Sequence, residues 1–518
     1  MQQPNSNKMN LIAPSHPSAE PDEFTPEKLR AWLSSLAAAD AIGSARASIE
    51  RLVALNRARL QSRTRLRLLD MFRDHIEWLL PQLEGRVARA QPPLAGTLRQ
   101  AAYCIEKLLK ELAAGYSHLV LRVPRTWLSG GSKSQLHVPL ARALDFHARR
   151  LALSQRMYTR SPAAVWAEMH QLFQLARDAG LADRETDSPH TSPLRVYREA
   201  LLLAFAEPTK LMHGDFARVQ NYLAANGDLA EIVPKAKVEL AQCVFAIDPR
   251  RDRPGVAYSK RADAGYQNGD LMLVTHKLVE RLEIQLRKLA DGVAPASLGL
   301  PHEAAQSHYQ ELLQRLLVQW RGERKNRSAR MRFHPRVDLW VGLREIWRQL
   351  RSDLPKDEQA DITQREGPPR ATEWIIVNES GRGFALSYMS GILPPINVGE
   401  IVALKTRERN AIYVCLVRWI LSNNPEHYEL GLQQLGPIVV PAVYKPSEAD
   451  RSAPEPILFF PEMPAQRRAP VVAAPPNRVR VNGAFSLRHR LGRLSLCAAR
   501  VVETTPSIEL VEVVAPSP

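Results

Sequence analysis

The stretch "WIIVNESGRGFALSYM", residues 374–389, decides the fold of the C-terminal half of this chain. Two apolar runs, "WIIV" and "FALSYM", flank a polar segment that contains two glycines. Short β-branched and aromatic runs on either side of turn residues predict two strands joined by a tight turn. The turn is either an ordinary hairpin connection or half of a ligand site, whose other half must carry charge of the right sign.

The surrounding sequence continues the β pattern. Three further runs follow, "EIVALKT", "IYVCLVRWIL" and "YELGLQQL", each bounded by Gly, Pro or Asn. Five such runs at close spacing predict a small β-barrel, which we place at residues 327–440.

The chain before the barrel has a helical pattern. We expect a disordered N-terminus at 1–22, a large all-α domain at 23–300, possibly solenoid-like, and a linker helix at 301–326. Thr25 and Pro26 read as the N-cap and first residue of the opening helix. Residues 237–282 could instead be strands or a strand–helix pair.

The chain after the barrel predicts a linker at 441–457 and a small antiparallel β module at 458–518, with a hairpin at Asn482-Gly483. The fold class is therefore multidomain α+β. Residues 463–502 hold eight arginines and no acid. A two-residue turn would send Arg478 and Arg488 to opposite faces, whereas a three-residue loop would pair them in an anion-binding patch. We expect a solvated charged face.

The overall composition favours an anionic partner and a cytoplasmic location. Lys and Arg number 70 against 54 acids, for a formal charge of +16. The four cysteines lack metal-ligand or redox spacing, so we expect reduced thiols. No signal peptide and no run of 18 apolar residues is visible.

A pair of arginines stands directly before the barrel strands. "RFHPR" places Arg332 and Arg336 four residues apart, and the turn quoted above supplies Asn378, Ser380 and Gly383. This combination, over about residues 327–440, resembles the PilZ family of bacterial cyclic di-GMP receptors. The phrases "VGEIVALK" and "YELGLQQL" also fall where that family has strands.

The resemblance implies cyclic di-GMP as the ligand, with no cofactor and no metal. Arg332 and Arg336 would clamp its phosphates and guanines, because a guanidinium binds phosphate bidentately, matches the O6/N7 edge of guanine and stacks on bases. Asn378 and Ser380 would hold the ligand against the barrel, and Gly383 would leave room for close approach. Binding would order residues 327–336 and re-aim the preceding helix.

The spacing departs from the family pattern, since Arg336 and Asn378 are 42 positions apart. The excess indicates an insertion near residues 344–370. Leu339, Leu343, Ile346, Trp347 and Leu350 have helical spacing. If Val337–Leu350 is a helix, the first strand is missing or shortened.

Three functional hypotheses follow, and none is an enzyme. The first is a cyclic di-GMP-binding effector that couples the messenger to an unidentified protein partner through its helical domain, with a motility or biofilm output. The second is a basic nucleic-acid-binding protein, whose affinity would fall steeply with salt. The third is a scaffold with a degenerate PilZ-like barrel. Gly-x-x-x-x-Gly-Lys-Ser/Thr, His-Glu-x-x-His and Gly-x-Ser-x-Gly motifs are absent.

Overall fold

The computed structural model describes most of the chain, and it divides that part into two compact units. The described residues are 24–36, 40–87, 91, 93–94, 96–121, 133–186, 192–237, 242–258, 270–322, 335–350, 371–407, 411–424, 427–445, 455–463, 468–489 and 492–515. The first unit comprises Met1–Ala90, Gly96–Arg150 and Glu168–Tyr197, and the second comprises the rest. Residues 1–22, predicted to be disordered, lie outside the described part.

The N-terminal region is helical, as predicted. Its helices are α1 (Pro26–Ser35), α2 (Ala41–Arg57), α3 (Ser62–Val87), α4 (Gly96–Leu121), α5 (Lys133–Arg156), α6 (Val165–Asp178) and α7 (Pro193–Phe205). The opening cap forms as the sequence indicated, because the Thr25 hydroxyl accepts a hydrogen bond from the Lys28 amide at 3.3 Å and Pro26 is the first helical residue. Among the described helices, none is long and apolar enough to cross a membrane.

A small antiparallel sheet lies between the later helices. Its strands β1 (Glu231–Pro234), β2 (Val244–Ile247), β3 (Val256–Ala257) and β4 (Leu271–Val274) are ordered β1-β4-β2-β3. It is flanked in sequence by α8 (Asp215–Asn226), α9 (His276–Ala290) and α10 (Ser307–Trp320). Of the two alternatives for residues 237–282, the strand–helix pair describes the second half, where β4 is followed directly by α9. The domain predicted to be all-α therefore contains one sheet. The predicted linker helix corresponds to α10.

The first barrel is closed and antiparallel, with six strands. They are β5 (Arg336–Val341), β6 (Thr372–Ser380), β7 (Gly383–Ser390), β8 (Ile401–Thr406), β9 (Ile412–Asn424) and β10 (His427–Gly436), in the order β10-β7-β6-β5-β8-β9. Alternate residues such as Val337, Leu339, Trp374 and Ile376 fill the interior. The predicted small barrel is therefore confirmed.

The alternative of one helix over all of Val337–Leu350 does not occur. The first barrel strand is present as β5, and α11 (Leu343–Leu350) begins only after Gly342. Gly342 has a φ of +91°, a left-handed conformation that favours glycine and lets the chain change from strand to helix. The predicted insertion thus starts as α11, and residues 351–370 lie outside the described part.

The C-terminal β module is a second closed barrel of six strands. They are β11 (Val440–Lys445), β12 (Glu455–Phe460), β13 (Val471–Ala474), β14 (Ala484–His489), β15 (Gly492–Thr504) and β16 (Glu509–Val514), in the order β11-β12-β13-β16-β15-β14. Residues 441–457, predicted as a linker, instead supply β11 and the start of β12.

The hairpin predicted at Asn482-Gly483 is also wrong. These residues form a turn, in which the Gly483 amide donates to the Arg480 carbonyl at 2.9 Å, but the turn leads into β14. The hairpin is β14–β15, which pairs Arg488 with Arg493. Neither predicted register occurs, and Arg478 instead forms an ion pair with Glu455 at 2.9 Å.

Candidate functional site

The β6–β7 turn holds three of the five predicted site residues. Ser380 pairs with Gly383 at the end of the hairpin, and Asn378 pairs with Ala385 two steps further in. The Ser380 hydroxyl donates to the Gly383 carbonyl at 3.2 Å, which stabilises the turn. Asn378 is half-buried and lies on the outer face of the barrel, since its partner Ala385 is outside the barrel core.

Gly383 has a packing role that the sequence did not reveal. A Cβ at this position would lie 1.9 Å from the carbonyl oxygen of Leu432 on β10. Any side chain would therefore push β7 away from β10, to which it is paired at this point. The predicted reason for this glycine was close approach to a base, whereas the structure gives close approach to a neighbouring strand.

Arg336 begins β5 on the same outer face. It pairs with Ile375, three residues before Asn378 on β6, so the two positions are about 10 Å apart along the strand. The guanidinium of Arg336 lies 3.3 Å from a Glu373 carboxylate oxygen, and its side chain is 60% exposed. In this structure the arginine is thus held by an acid on β6 and leans away from the turn.

The chain before Arg336 runs toward the turn. The Ile376 amide donates to the Pro335 carbonyl at 3.0 Å, which extends the antiparallel ladder one step beyond β5. Because β5 and β6 are antiparallel, Pro335 lies one step closer to Asn378 along β6 than Arg336 does. Arg332 itself lies outside the described residues.

A tryptophan that the sequence reasoning missed stands on the same face. β9 has a bulge, because Val417 pairs with Leu432 and Trp419 pairs with Gly431, which leaves Arg418 as the extra residue. The indole of Trp419 lies directly on Gly431, where a Cβ would be 1.7 Å from its Nε1 atom. A glycine inside a strand is the sequence signal that could have indicated this close approach.

Four residues cross the barrel side by side, and we call them the outer row: Asn378, Ala385, Gly431 and Trp419. Gly431 lies under the indole and Ala385 is small, so the outer row presents a shallow step between an amide at one end and a half-buried indole at the other. Such a surface can hydrogen-bond to one edge of a base and stack against its plane.

The bulge at Arg418 also connects the row to the second barrel. The Nε of Arg418 donates to the Gln433 side chain at 2.6 Å, and its Nη2 lies 2.9 Å from a carboxylate oxygen of Glu503 on β15. Gln433 is the strand partner of Gly383. One arginine therefore bridges the neighbourhood of the β6–β7 turn and the second barrel.

Candidate metal ligands and the cysteines were located in the described part of the chain. Within it, no group of three or more His, Cys, Asp or Glu side chains could hold a metal ion. Cys104, Cys243 and Cys415 are buried. Burial raises the pKa of the Cys415 thiol, which keeps it protonated.

Comparison with known proteins agrees with the barrel geometry. The family described as "Cyclic-di-GMP receptor FimW, N-terminal domain" matches residues 27–236, and "Cyclic-di-GMP receptor FimW, middle PilZ domain" matches residues 346–441. The chain is 24% identical over 486 residues to the cyclic-di-GMP receptor FimW of Pseudomonas aeruginosa, covering 81% of this chain and 78% of that protein.

The PilZ match includes the β6–β7 turn and Trp419, and it begins after Arg332 and Arg336. It also spans five of the six strands of the first barrel, β6 to β10. The resemblance noted in the sequence and the match over these strands agree on one assignment. The chain belongs to the PilZ-domain family of cyclic di-GMP receptors.

Proposed function

We propose that this protein is a cyclic di-GMP-binding effector, and that the ligand lies on the outer face of the first barrel. The observation that carries the proposal is the convergence of the β6–β7 turn, the start of β5 and the indole of Trp419 on one face. The printed name of the Pseudomonas aeruginosa relative, a cyclic-di-GMP receptor, supports the choice of ligand.

Each site residue has a role that suits its chemistry. Arg332 and Arg336 neutralise the two phosphodiesters and can pair with guanine O6 and N7, which a lysine cannot do bidentately. Asn378 and Ser380 hydrogen-bond to the polar edge of a guanine. Gly383 keeps the turn against β10. Trp419 supplies a stacking surface for a base at the far end of the outer row.

Binding requires Arg336 to exchange partners. Its guanidinium now lies on Glu373, which also accepts a hydrogen bond from the Ser390 hydroxyl at 2.9 Å and lies 3.0 Å from Arg407. A phosphate is a stronger partner for Arg336 than a partly exposed carboxylate. When Arg336 turns to the ligand, Glu373 retains Arg407 and Ser390 and is not left unpaired.

The effector transmits occupancy through its helical region to a protein partner. In this proposal the ligand contacts Arg332 and Arg336 together and so changes the direction of the preceding helix α10 relative to the first barrel. The family match over 27–236 supports a function of the helical region shared with the relatives. The output is of the motility, attachment or biofilm type.

Calorimetric titration with cyclic di-GMP tests the proposal. We expect saturable binding at roughly tens of micromolar or tighter, and no heat from GMP or cyclic di-AMP. Arg332→Ala/Arg336→Ala should weaken binding at least about 100-fold, because each arginine contributes charge-assisted hydrogen bonds worth about 1.5–3 kcal/mol.

The matched control removes two arginines elsewhere. Arg478→Ala/Arg500→Ala deletes the same charge from the second barrel, at residues that are paired with Glu455 and Glu512 on its surface. This variant should bind like the parent chain. Equal losses in both double variants would point to a nonspecific charge effect, and a silent parent chain would refute the proposal.

A further inference from the structure

The two barrels have the same connectivity. In each, the first strand pairs with the second and fourth, the second with the third, the third with the sixth, and the fifth with the fourth and sixth. This gives the cyclic order 1-2-3-6-5-4 twice, once for β5–β10 and once for β11–β16. A shared order in two consecutive barrels allows their residues to be matched strand by strand.

The fifth strands also share a bulge at the same place. In the first barrel Leu432 pairs with Val417 and Gly431 pairs with Trp419, so Arg418 is the extra residue of the bulge. In the second barrel Val511 pairs with Val501 and Leu510 pairs with Glu503, so Val502 is the extra residue of the bulge. Bulges re-aim side chains locally and are built features of a sheet, so their common position supports a true structural repeat.

The match assigns a counterpart to each member of the outer row. Counting from the last pair of the second-to-third strand hairpin, Asn378 corresponds to Leu458 and Ala385 to Ala473. Across the next two strands, Gly431 corresponds to Leu510 and Trp419 to Glu503. In the β6–β7 turn itself, Ser380 and Gly383 correspond to Phe460 and Val471. The polar and small residues of the first barrel have largely become apolar ones.

The face of the second barrel that corresponds to the outer row, which we call the counterpart face, is covered. Leu458, Ala473 and Leu510 are buried in one apolar cluster together with Trp340, Leu343, Ile346 and Trp347, which belong to β5 and α11 of the first barrel. This cluster is separate from the interior of either barrel, so it is an interface between their outer sides. The indole of Trp347 donates to the Ala442 carbonyl on β11 at 2.9 Å.

The counterpart of Trp419 is used for docking as well. Glu503 forms the bidentate ion pair with Arg418, the extra residue of the first barrel's own bulge. The outer row of the first barrel ends in the indole of Trp419, and the equivalent position of the second barrel holds the carboxylate of Glu503. This carboxylate contacts the first barrel at Arg418, next to Trp419 in the chain. The cation at this end of the row, Arg418, is therefore already paired with a carboxylate and is not available to a phosphate.

We propose that the C-terminal barrel is a second copy of the first in which the ligand face has become an apolar docking face, so that the chain presents one face, not two, to cyclic di-GMP. The identity of the ligand rests on the function proposed above, whereas the burial of the counterpart face is independent of it.

Two equivalent alanines provide the test. Ala385→Cys and Ala473→Cys are introduced singly into the full chain, and labelling by a maleimide is followed by peptide mapping, which separates them from the native thiols. We expect Cys at 385 to react within minutes and Cys at 473 to react only on unfolding, because Ala473 has no exposed surface. Leu510→Cys, a smaller side chain in the same cluster, should be equally unreactive and cannot overpack it.

Each outcome has a separate meaning. Reaction at 473 or 510 as fast as at 385 in a chain with native circular dichroism would overturn the docking face. Protection of 385, but not of native Cys497, by saturating cyclic di-GMP is the expected ligand result. If 385 reacts freely at any ligand concentration while 473 stays protected, the proposed function fails and the repeat stands. Saturable binding that survives Arg336→Ala/Asn378→Ala/Trp419→Ala at near-parent affinity would reveal a second ligand face and overturn the inference.

Discussion

At the scale of single residues, Glu373 decides where the Arg336 side chain points. Its carboxylate contacts Arg336, Arg407 and the Ser390 hydroxyl at 3.3, 3.0 and 2.9 Å. Arg336 is largely exposed, so this ion pair is weak in water and can exchange. The acid therefore acts as a competitor of the proposed ligand for one of its arginines.

Removing that competition should tighten binding. Glu373→Gln keeps a hydrogen-bond acceptor for Ser390 but no longer attracts Arg336, and we expect the affinity for cyclic di-GMP to rise about threefold to tenfold. The measurement is calorimetric titration at two salt concentrations. Glu379→Gln is the control, because Glu379 is exposed on the same strand and its substitution removes the same charge. An equal gain in both variants would reduce the effect to general electrostatics.

The glycine under Trp419 offers a second residue-scale prediction. Gly431→Ala must displace the indole, since a Cβ there would meet the ring at 1.7 Å. We expect cyclic di-GMP to bind roughly tenfold more weakly, in line with the loss of one stacking contact of about 1–3 kcal/mol. Gly85→Ala in α3, where a Cβ meets nothing within 4 Å, should leave binding unchanged and stabilise the helix slightly. Parent-like affinity for Gly431→Ala would remove Trp419 from the site.

Sequence reasoning identified the polar residues of this site better than its apolar ones. Asn378, Ser380 and Gly383 share one turn and Arg336 lies on the same face, because their spacing matches a local motif. The participation of all five residues in ligand binding, Arg332 included, stays a prediction. Trp419 was not assigned, because its position depends on a bulge in β9 and on a glycine in the neighbouring strand β10.

At the scale of elements, α11 is the part of the first barrel that packs against the second barrel. The helix lies between the barrels, with Ile346 and Trp347 fully buried. It begins directly after β5, so the same apolar residues that suggested one long helix belong to a strand and then to a helix. Helical spacing across the boundary at Gly342 was the misleading signal.

Truncating the central tryptophan of this helix should loosen the barrel pair. Trp347→Ala removes a fully buried ring and its hydrogen bond to Ala442, and we expect a loss of about 3–5 kcal/mol in the free energy of unfolding. Urea denaturation followed by circular dichroism measures it. Trp78→Ala in α3 is the control, since that ring is 51% exposed and should cost well under half as much. Comparable losses would mean that α11 is not a docking element.

At the scale of the whole molecule, one buried histidine makes folding sensitive to acid. His147 in α5 receives a hydrogen bond at Nδ1 from Arg150 at 3.3 Å, and its Nε2 lies 3.2 Å from Glu168. This arrangement suits a neutral ring that donates from Nε2, because a proton on Nδ1 would face the guanidinium. Burial, and to a lesser degree the charge of Arg150, lower the pKa of His147 to about 3.

The sign of the pH effect follows from that lowered pKa. The unfolded chain takes up a proton near pH 6.5 and the folded chain does not until near pH 3, so stability should be full above pH 6.5 and fall between pH 6.5 and 3. We expect a slope of up to about 1.4 kcal/mol per pH unit from this group. His147→Gln should flatten the curve of unfolding free energy against pH in that interval. An unchanged slope would mean that His147 is not the group responsible.

The sequence by itself determined that the N-terminal part of the chain is mainly helical and that a small barrel follows it, and it indicated the family, because hydrophobic period and turn residues act over a few positions. Only the tertiary structure decided that the supposed linker 441–457 supplies strands, that Gly383 is set by β10, and that the C-terminal barrel repeats the first with its face covered. The physical reason is that strand order, register and bulges depend on pairing between residues distant in the chain, and no local pattern encodes which strand a side chain will meet.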